Sequence, residues 1–273
     1  MTPTAPPSQP VPFVCTASTV FLSQNLARDT QLYSAAGATP PPPPFVAVGS
    51  PSPERYNGLG YNSSDKFLYA SSKASEPPYS PGHLLMIDST GTVFDLGALP
   101  AASAAALSNG FTAGAFGAGA SAGTYYGTDP SPSPGNAGAS NQMYVDPITP
   151  NGAASTVTMT KAPIIADWTY DYGFLWGVDQ RNGDKRIARI SPATGVVTEW
   201  PQAVVPSSSY SYGAAWSFGS RGNLWFFNNH SGKIYRVKIH HPHGAPTFSL
   251  VSVSHTTPDT GNDAATCGSG PRK

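Results

Sequence analysis

The sequence predicts an all-β fold, a β-propeller of about five four-stranded blades, and three observations carry that prediction. Residues 166–201, ADWTYDYGFLWGVDQRNGDKRIARISPATGVVTEWP, hold four short segments with strand period and no helical period. Looser copies of that phrase recur at a spacing of roughly 50 residues, the length of one radial repeat. The composition agrees: 28 Gly and 29 Pro among 273 residues supply turns, and charged residues, at 11%, are too few to cover exposed helix faces.

Taken in order, residues 1–12 are polar and proline-rich and predict a disordered start, followed by one domain over 13–267 and a disordered tail at 268–273. Segments 13–15, 19–23 and 31–34 read as strands. Five consecutive prolines at 40–44 form a stiff extended connection to a further strand at 45–48. YNGLGYNSSDKFLYASS (56–72) carries two strands about a turn at 62–65, and HLLMIDSTGTVFDLGAL (83–99) carries two more about a turn at 89–91, completing one unit. An alanine-rich piece, 101–107, has room for one or two helical turns. GFTAGAF (110–116) and GTYYGTD (123–129) open the next unit, a Pro/Ser/Gly-rich loop at 130–140 interrupts it, and 142–146 and 155–159 close it.

In the clearest unit, strands at 168–170 and 174–178 flank a turn at 171–173, and strands at 186–190 and 196–200 flank a turn at 191–195. The last full unit runs through YGAAWSFGSRGNLWFFNN (212–229), GKIYRV (232–237) and a strand around 247–254. Leu68, Tyr125, Leu175 and Leu224 then share one repeat position, and Leu84, Gln142, Ile187 and Ile234 another. A four-stranded sheet cannot bury both faces alone, so the units pack face to face around an axis. Four full units and a split one, built from strands of 13–48 and the C-terminus, give five blades. A complete sheet at 13–48 with a further one from the tail would give six.

Cys15 and Cys267 sit near opposite ends of the chain. A disulfide between them would fasten the seam of a closed ring and implies an oxidising, extracellular compartment; two unrelated buried thiols are the alternative. Net charge is zero, with no basic stripe, which excludes the phosphate-facing surface of a nucleic-acid binder. No apolar run approaches the ~20 residues of a membrane span, so no membrane insertion is expected. The first twelve residues lack a charged start and an apolar middle, which reads as a chain whose export signal has been removed.

The phrases TVFLSQ, TQLY, YNGLGYN, FLYA, LLMIDSTGTV, ADWTYD, LWGVD, YGAAW and GNLWFFNN, closing on GNDAATC, resemble in their order a family of uncharacterised propeller-like domains of unknown function. That resemblance covers about residues 14–267. It implies a propeller fold and a secreted or cell-surface setting, mainly in actinobacteria and often ahead of repetitive stalk domains, and it supplies no reaction. More narrowly, RIARISPATGVVTEWP and GNLWFFNNHSGKIYRV are similar to blades of the streptogramin-lyase propellers, and LLMIDSTGTV to those of the gluconolactonase group. The matching phrases are structural ones, and no catalytic residue carries over.

Loops at the ends of inner strands gather at a channel mouth, where propellers bind ligands. By repeat position the candidate ligand-binding residues are Tyr56, Asn57, Asp167, Trp168 and Tyr212 at inner-strand starts, with Asn228, Asn229 and His230 from an adjoining turn. Asp167 beside Trp168 suggests a sugar site, an aromatic plate with a hydrogen-bonding acceptor. The alternative is structural: the Asp caps backbone amides and the Trp fills the space between blades. His240, His241 and His243 surround a proline and do not converge on a metal. Asp88, Asp95, Asp171 and Asp179 lie in or beside turns and serve the backbone. No Gly-x-Ser-x-Gly elbow is present, and the glycine-rich segment 114–123 precedes a hairpin where a nucleotide fold requires a helix.

The expected function is recognition of an extracellular glycan or surface protein without catalysis, cofactor or metal, by a monomer or a part of a larger surface protein. A metal-assisted propeller lyase or lactonase is the alternative, and a structural spacer the second.

Overall fold

A computed structural model of the chain describes residues 9–15, 19–26, 29–36, 44–73, 81–99, 110–129, 141–146, 155–181, 185–201, 204–206, 211–218 and 222–267. Of the expected disordered ends 1–12 and 268–273, residues 1–8 and 268–273 lie outside these residues, as do the alanine-rich piece 101–107, the loop 130–140 and most of the proline tract, while residues 9–12 are described.

Twenty strands form five antiparallel four-stranded sheets. Strands β1 (Thr19–Leu26), β2 (Asp29–Ala36) and β3 (Val46–Ser52) belong to the first blade. The second is β4 (Tyr56–Asn62), β5 (Phe67–Ser72), β6 (His83–Ile87) and β7 (Val93–Ala98), and the third is β8 (Ala113–Phe116), β9 (Tyr125–Thr128), β10 (Gln142–Asp146) and β11 (Ser155–Thr158). The fourth is β12 (Ile165–Asp171), β13 (Phe174–Asp179), β14 (Arg186–Ile190) and β15 (Val197–Pro201), and the fifth is β16 (Tyr212–Ser217), β17 (Asn223–Asn228), β18 (Lys233–His240) and β19 (Thr247–His255). The last strand, β20 (Asn262–Cys267), pairs with β1 and becomes the inner strand of the first blade. The count is therefore five, because residues 13–48 provide three strands and the C-terminus the fourth.

Side-chain size follows distance from the axis. The inner strands β4, β8, β12, β16 and β20 neighbour one another in a closed ring. They crowd there, and β8 (AGAF), β16 (YGAAWS) and β20 (NDAATC) are accordingly rich in Gly and Ala. The second strands carry the wedge-filling bulk, as in FLWGVD of β13 and NLWFFN of β17. Five apolar clusters result, one in each gap between blades. The outermost strands β3 and β19 are largely exposed.

Residues 13–15 form no strand pairing, a departure from the expected start of the first sheet. The segment instead lies along the second blade: Val11 N–H donates to Asp88 Oδ2, Ser89 N–H to Val11 O, and Phe13 N–H to Lys66 O. Phe13 is buried against Phe21, and Cys15 is disulfide-bonded to Cys267 at the end of β20, with Cα atoms 5.8 Å apart. The seam is thus closed twice, by the β20–β1 ladder and by a covalent link.

Candidate functional site

The inner strands start at one mouth of the channel and end at the other, and between the mouths two carboxyls meet. Asp167 on β12 and Asp263 on β20 are fully buried and hydrogen-bonded to each other, although their blades are not neighbours. Asp167 Oδ1 accepts from Trp168 N–H at 2.7 Å and Oδ2 from Ala215 N–H at 2.6 Å. Asp263 repeats the arrangement: Oδ1 accepts from Ala264 N–H at 2.8 Å and Oδ2 from Leu59 N–H at 2.6 Å. Burial, and then the charge of Asp263, hold the Asp167 carboxyl well above the usual range; burial does the same to Asp263. Two carboxylates this close in a dry site cannot both ionise, so the pair keeps a proton. All four oxygens already accept from amide N–H groups, which favours the charged form of each carboxyl against the effect of burial and leaves no oxygen free to hold a cation. A hydrogen-bonded pair also lacks the ~5 Å or greater separation that carboxyls of glycoside hydrolysis require.

At the inner-strand starts, Lys73, just after β5, donates to Gly110 O at 3.3 Å and Thr112 Oγ1 at 3.1 Å, and Thr112 Oγ1 donates to Asp129 Oδ1 at 2.7 Å. Burial pulls the Lys73 amine below its ordinary range, and the charges of Asp129 and Asp263 oppose the shift. Asn229 accepts from Gly213 N–H and Asn262 Nδ2 through Oδ1 and donates to Thr260 O, stapling the fifth blade to the first. Asn57 is half-buried, its Oδ1 accepting from Gly58 N–H, and His230 is exposed.

The sequence-predicted residues do reach this end of the inner strands, but they divide by face. Neighbouring residues on a strand point to opposite sides. Asp167 therefore faces the axis while Trp168, 0% exposed, lies in the gap between the third and fourth blades, its Nε1–H donating to Tyr126 O. The two cannot act together on one sugar ring, and Trp168 offers no open face. Tyr56 and Tyr212 are likewise buried in gaps, Tyr212 donating its hydroxyl to Pro206 O. Trp168 fills the space between blades and Asp167 accepts from backbone amides, as the structural alternative for that pair has it. Of the turn aspartates, Asp88 serves the backbone as expected, its Oδ1 accepting from Thr90 N–H, Thr92 N–H and Thr90 Oγ1, whereas Asp95 also pairs with His83, Asp179 with Arg181, and Asp171 also accepts from Ser217 Oγ. Burial pushes the Asp88 carboxyl up, but the bonds from Thr90 and Thr92 and that from Val11 outweigh it and hold it below the usual range.

The opposite mouth holds a depression open to solvent. Its walls come from the ends of β4, β8, β12 and β20, among them Tyr61, Ser63, Phe116, Thr169, Tyr170 and Thr266. Its floor includes Leu59, Trp168 and Ala264, three of the residues whose N–H groups hold the carboxyl pair. Among the described residues, no Asp, Glu, His, Lys or Arg lines it. Tyr170 is half-buried, stacked on Tyr126 with centroids 6.0 Å apart and planes 6° apart, and Tyr61 stacks on Phe21 at 6.3 Å and 27°. Sequence reasoning passed over these residues and Asp263. The signal for Asp263 was available: NDA (262–264) in the closing phrase holds the repeat position of ADW (166–168) in the fourth unit.

Among the described residues, no group of three or more His, Cys, Asp or Glu converges on a metal-sized space, and no helix is long and apolar enough to cross a membrane. Similar solved structures include a chain of a nidogen/laminin complex, at 13% identity over 90% of this chain and 98% of that one, TM-score 0.49. TolB from Acinetobacter baumannii is 14% identical over 88% of this chain and 53% of its own, TM-score 0.44. A Bacteroides uniformis protein described as a 6-phosphogluconolactonase is 12% identical over 89% and 84%, TM-score 0.46. No protein with a curated description matches the sequence. Residues 21–269 match the family described as a repeat of unknown function (DUF6923), and the chain belongs to that family.

Proposed function

We propose that this propeller is a secreted or surface-displayed recognition module that binds an uncharged, polar extracellular ligand, a glycan, in the depression at the inner-strand ends, without transforming it. The observation that carries this reading is the lining: tyrosine rings, hydroxyls and open backbone, with no acidic or basic side chain among the described residues. Half-buried tyrosines supply apolar ring faces at little conformational cost, and Ser63, Thr169 and Thr266 supply directed hydrogen-bonding groups. An anionic ligand would find no counter-charge there. The disulfide suits an extracellular setting.

The test is a broad glycan array probed with the intact chain, with and without divalent metal, alongside Tyr61→Ala, Tyr170→Ala and His230→Ala. Metal-independent binding that both tyrosine variants lose and His230→Ala keeps is the expected result. Loss in His230→Ala alone would move the site to the other mouth, and metal-dependent turnover of a bound compound would favour the lyase or lactonase reading. Silence throughout removes the glycan.

A further inference from the structure

The carboxyl pair joins strands that the sheet topology keeps apart. Asp167 ties β12 to β16 through Ala215 N–H, Asp263 ties β20 to β4 through Leu59 N–H, and the bond between them ties β12 to β20 across the axis. Four of the five inner strands therefore meet at one proton. We infer that the Asp167–Asp263 pair is a proton-operated closure of the channel: the shared proton draws the inner ring together, and its release to solvent leaves two like charges that part β12 from β20 and join the two mouths. The floor of the depression moves with it, because Leu59, Trp168 and Ala264 contribute to both. This closure does not depend on what the depression binds.

The surroundings set how the closure responds. From β4 the titratable neighbour is Tyr56, whose hydroxyl is held neutral by burial and then by the charge of Asp263. After β5 stands Lys73, which faces Asp263 and also Asp129 after β9. β8 carries no titratable side chain, and on β16 Tyr212 turns its hydroxyl away to Pro206 O. Lys73 thus favours the singly charged pair and the amide N–H groups favour the charged form of each carboxyl, but among the described residues no second cationic side chain faces the pair to neutralise a second charge. Low-dielectric repulsion between two adjacent carboxylates is then relieved by separation or by entry of water.

The experiment follows ligand-free protein by NMR from about pH 4 to about pH 10, reading Asp carboxyl carbons and the amides of Leu59, Trp168, Ala215 and Ala264. The expected result is a carboxyl pair that keeps a proton after exposed aspartates have ionised. The four amides should shift with the same midpoint, and their hydrogen exchange above it should rise about tenfold beyond the ordinary base-catalysed increase. Asp263→Asn supplies a permanent N–H donor in place of the proton and should abolish the midpoint. The inference is overturned if every aspartate ionises in the ordinary range, if the pair titrates late but the four amides do not move with it, or if they move equally in Asp263→Asn. Should that variant not fold, Asp167→Asn and the wild-type carboxyl titration decide the matter.

Discussion

Glu54, in the connection between the first and second blades, allows a quantitative test of how burial governs this fold. It is 1% exposed, and among the described residues neither of its side-chain oxygens has a hydrogen-bond partner. Burial, and then the nearby charge of Asp95, raise its carboxyl from 4.5 to about 7. A group whose folded pKa is raised holds its proton in the native state after the unfolded chain has released it. Its contribution to stability is therefore fully present below pH 4.5 and is lost as pH rises through about 7. The loss is about 1.4 kcal/mol per pH unit over that interval, or about 3 kcal/mol in all. Glu54→Gln removes the ionisation and keeps the shape. Urea unfolding of both chains between about pH 4 and about pH 9 should show the variant gaining on the wild type through this window, then running parallel above it. Taking the difference cancels the separate contribution of Asp167 and Asp263. Parallel curves at every pH would refute the reasoning and would mean that water or a cation reaches the carboxylate.

Three further outcomes follow from the packing. Cys15→Ser, or reduction of the wild type, should lower the stability read from urea unfolding by no more than about 5.5 kcal/mol, the chain-entropy ceiling for so long a loop; coincident curves would show that β20–β1 pairing alone holds the seam. Trp168→Ala should cost about 3–5 kcal/mol as a core truncation, and a loss below about 1 kcal/mol, read by chemical unfolding, would contradict its burial between blades. Gly114→Ala should destabilise by about 1–3 kcal/mol, because the new Cβ would stand 2.1 Å from Tyr125 Oη and 2.2 Å from Gly58 O; an unchanged thermal midpoint would mean that β4 and β8 are not so closely apposed.

Much of the architecture was legible because it rests on local period and turn chemistry. The turn at 171–173, the alternation of RIARI and the recurrence of Leu68, Leu175 and Leu224 each follow from strand geometry that neighbouring residues impose. The seam was legible for a different reason: Cys15 and Cys267 flank the segment that a ring must close. What the chain does not display locally is direction relative to the axis. Register breaks fall on the inner strands between Asn57 and Gly60, between Ile165 and Trp168, and between Tyr212 and Ala214, beside the predicted site residues. Each bulge re-aims the side chains around it, so Tyr56, Trp168 and Tyr212 enter gaps while Asp167 reaches the axis. The open mouth lay out of sight because Tyr61, Thr169, Tyr170 and Thr266 look like ordinary strand residues until the ring brings them together.

The ring itself is fivefold only in outline, and its departures from symmetry set the chemistry on the axis. At the level where the fourth and first blades place Asp167 and Asp263, the second places Asn57 and Gly58 and the fifth Gly213. The fifth blade then borrows Asn229 from the turn after β17 to receive the Gly213 N–H that an inner-strand carboxylate would otherwise take. In the third, Thr112 and Asp129 bond to each other and receive Lys73. Five carboxyls at one level of so narrow a channel would repel one another beyond any amide's power to compensate, whereas two can share a proton. Glycines at 58, 60 and 114 leave room instead for Tyr125, whose hydroxyl donates to Gly58 O. One buried pair thus ties the inner strands midway along the axis, and at the strand ends beyond it Tyr61 and Tyr170, each stacked on a ring of the gaps, wall the depression.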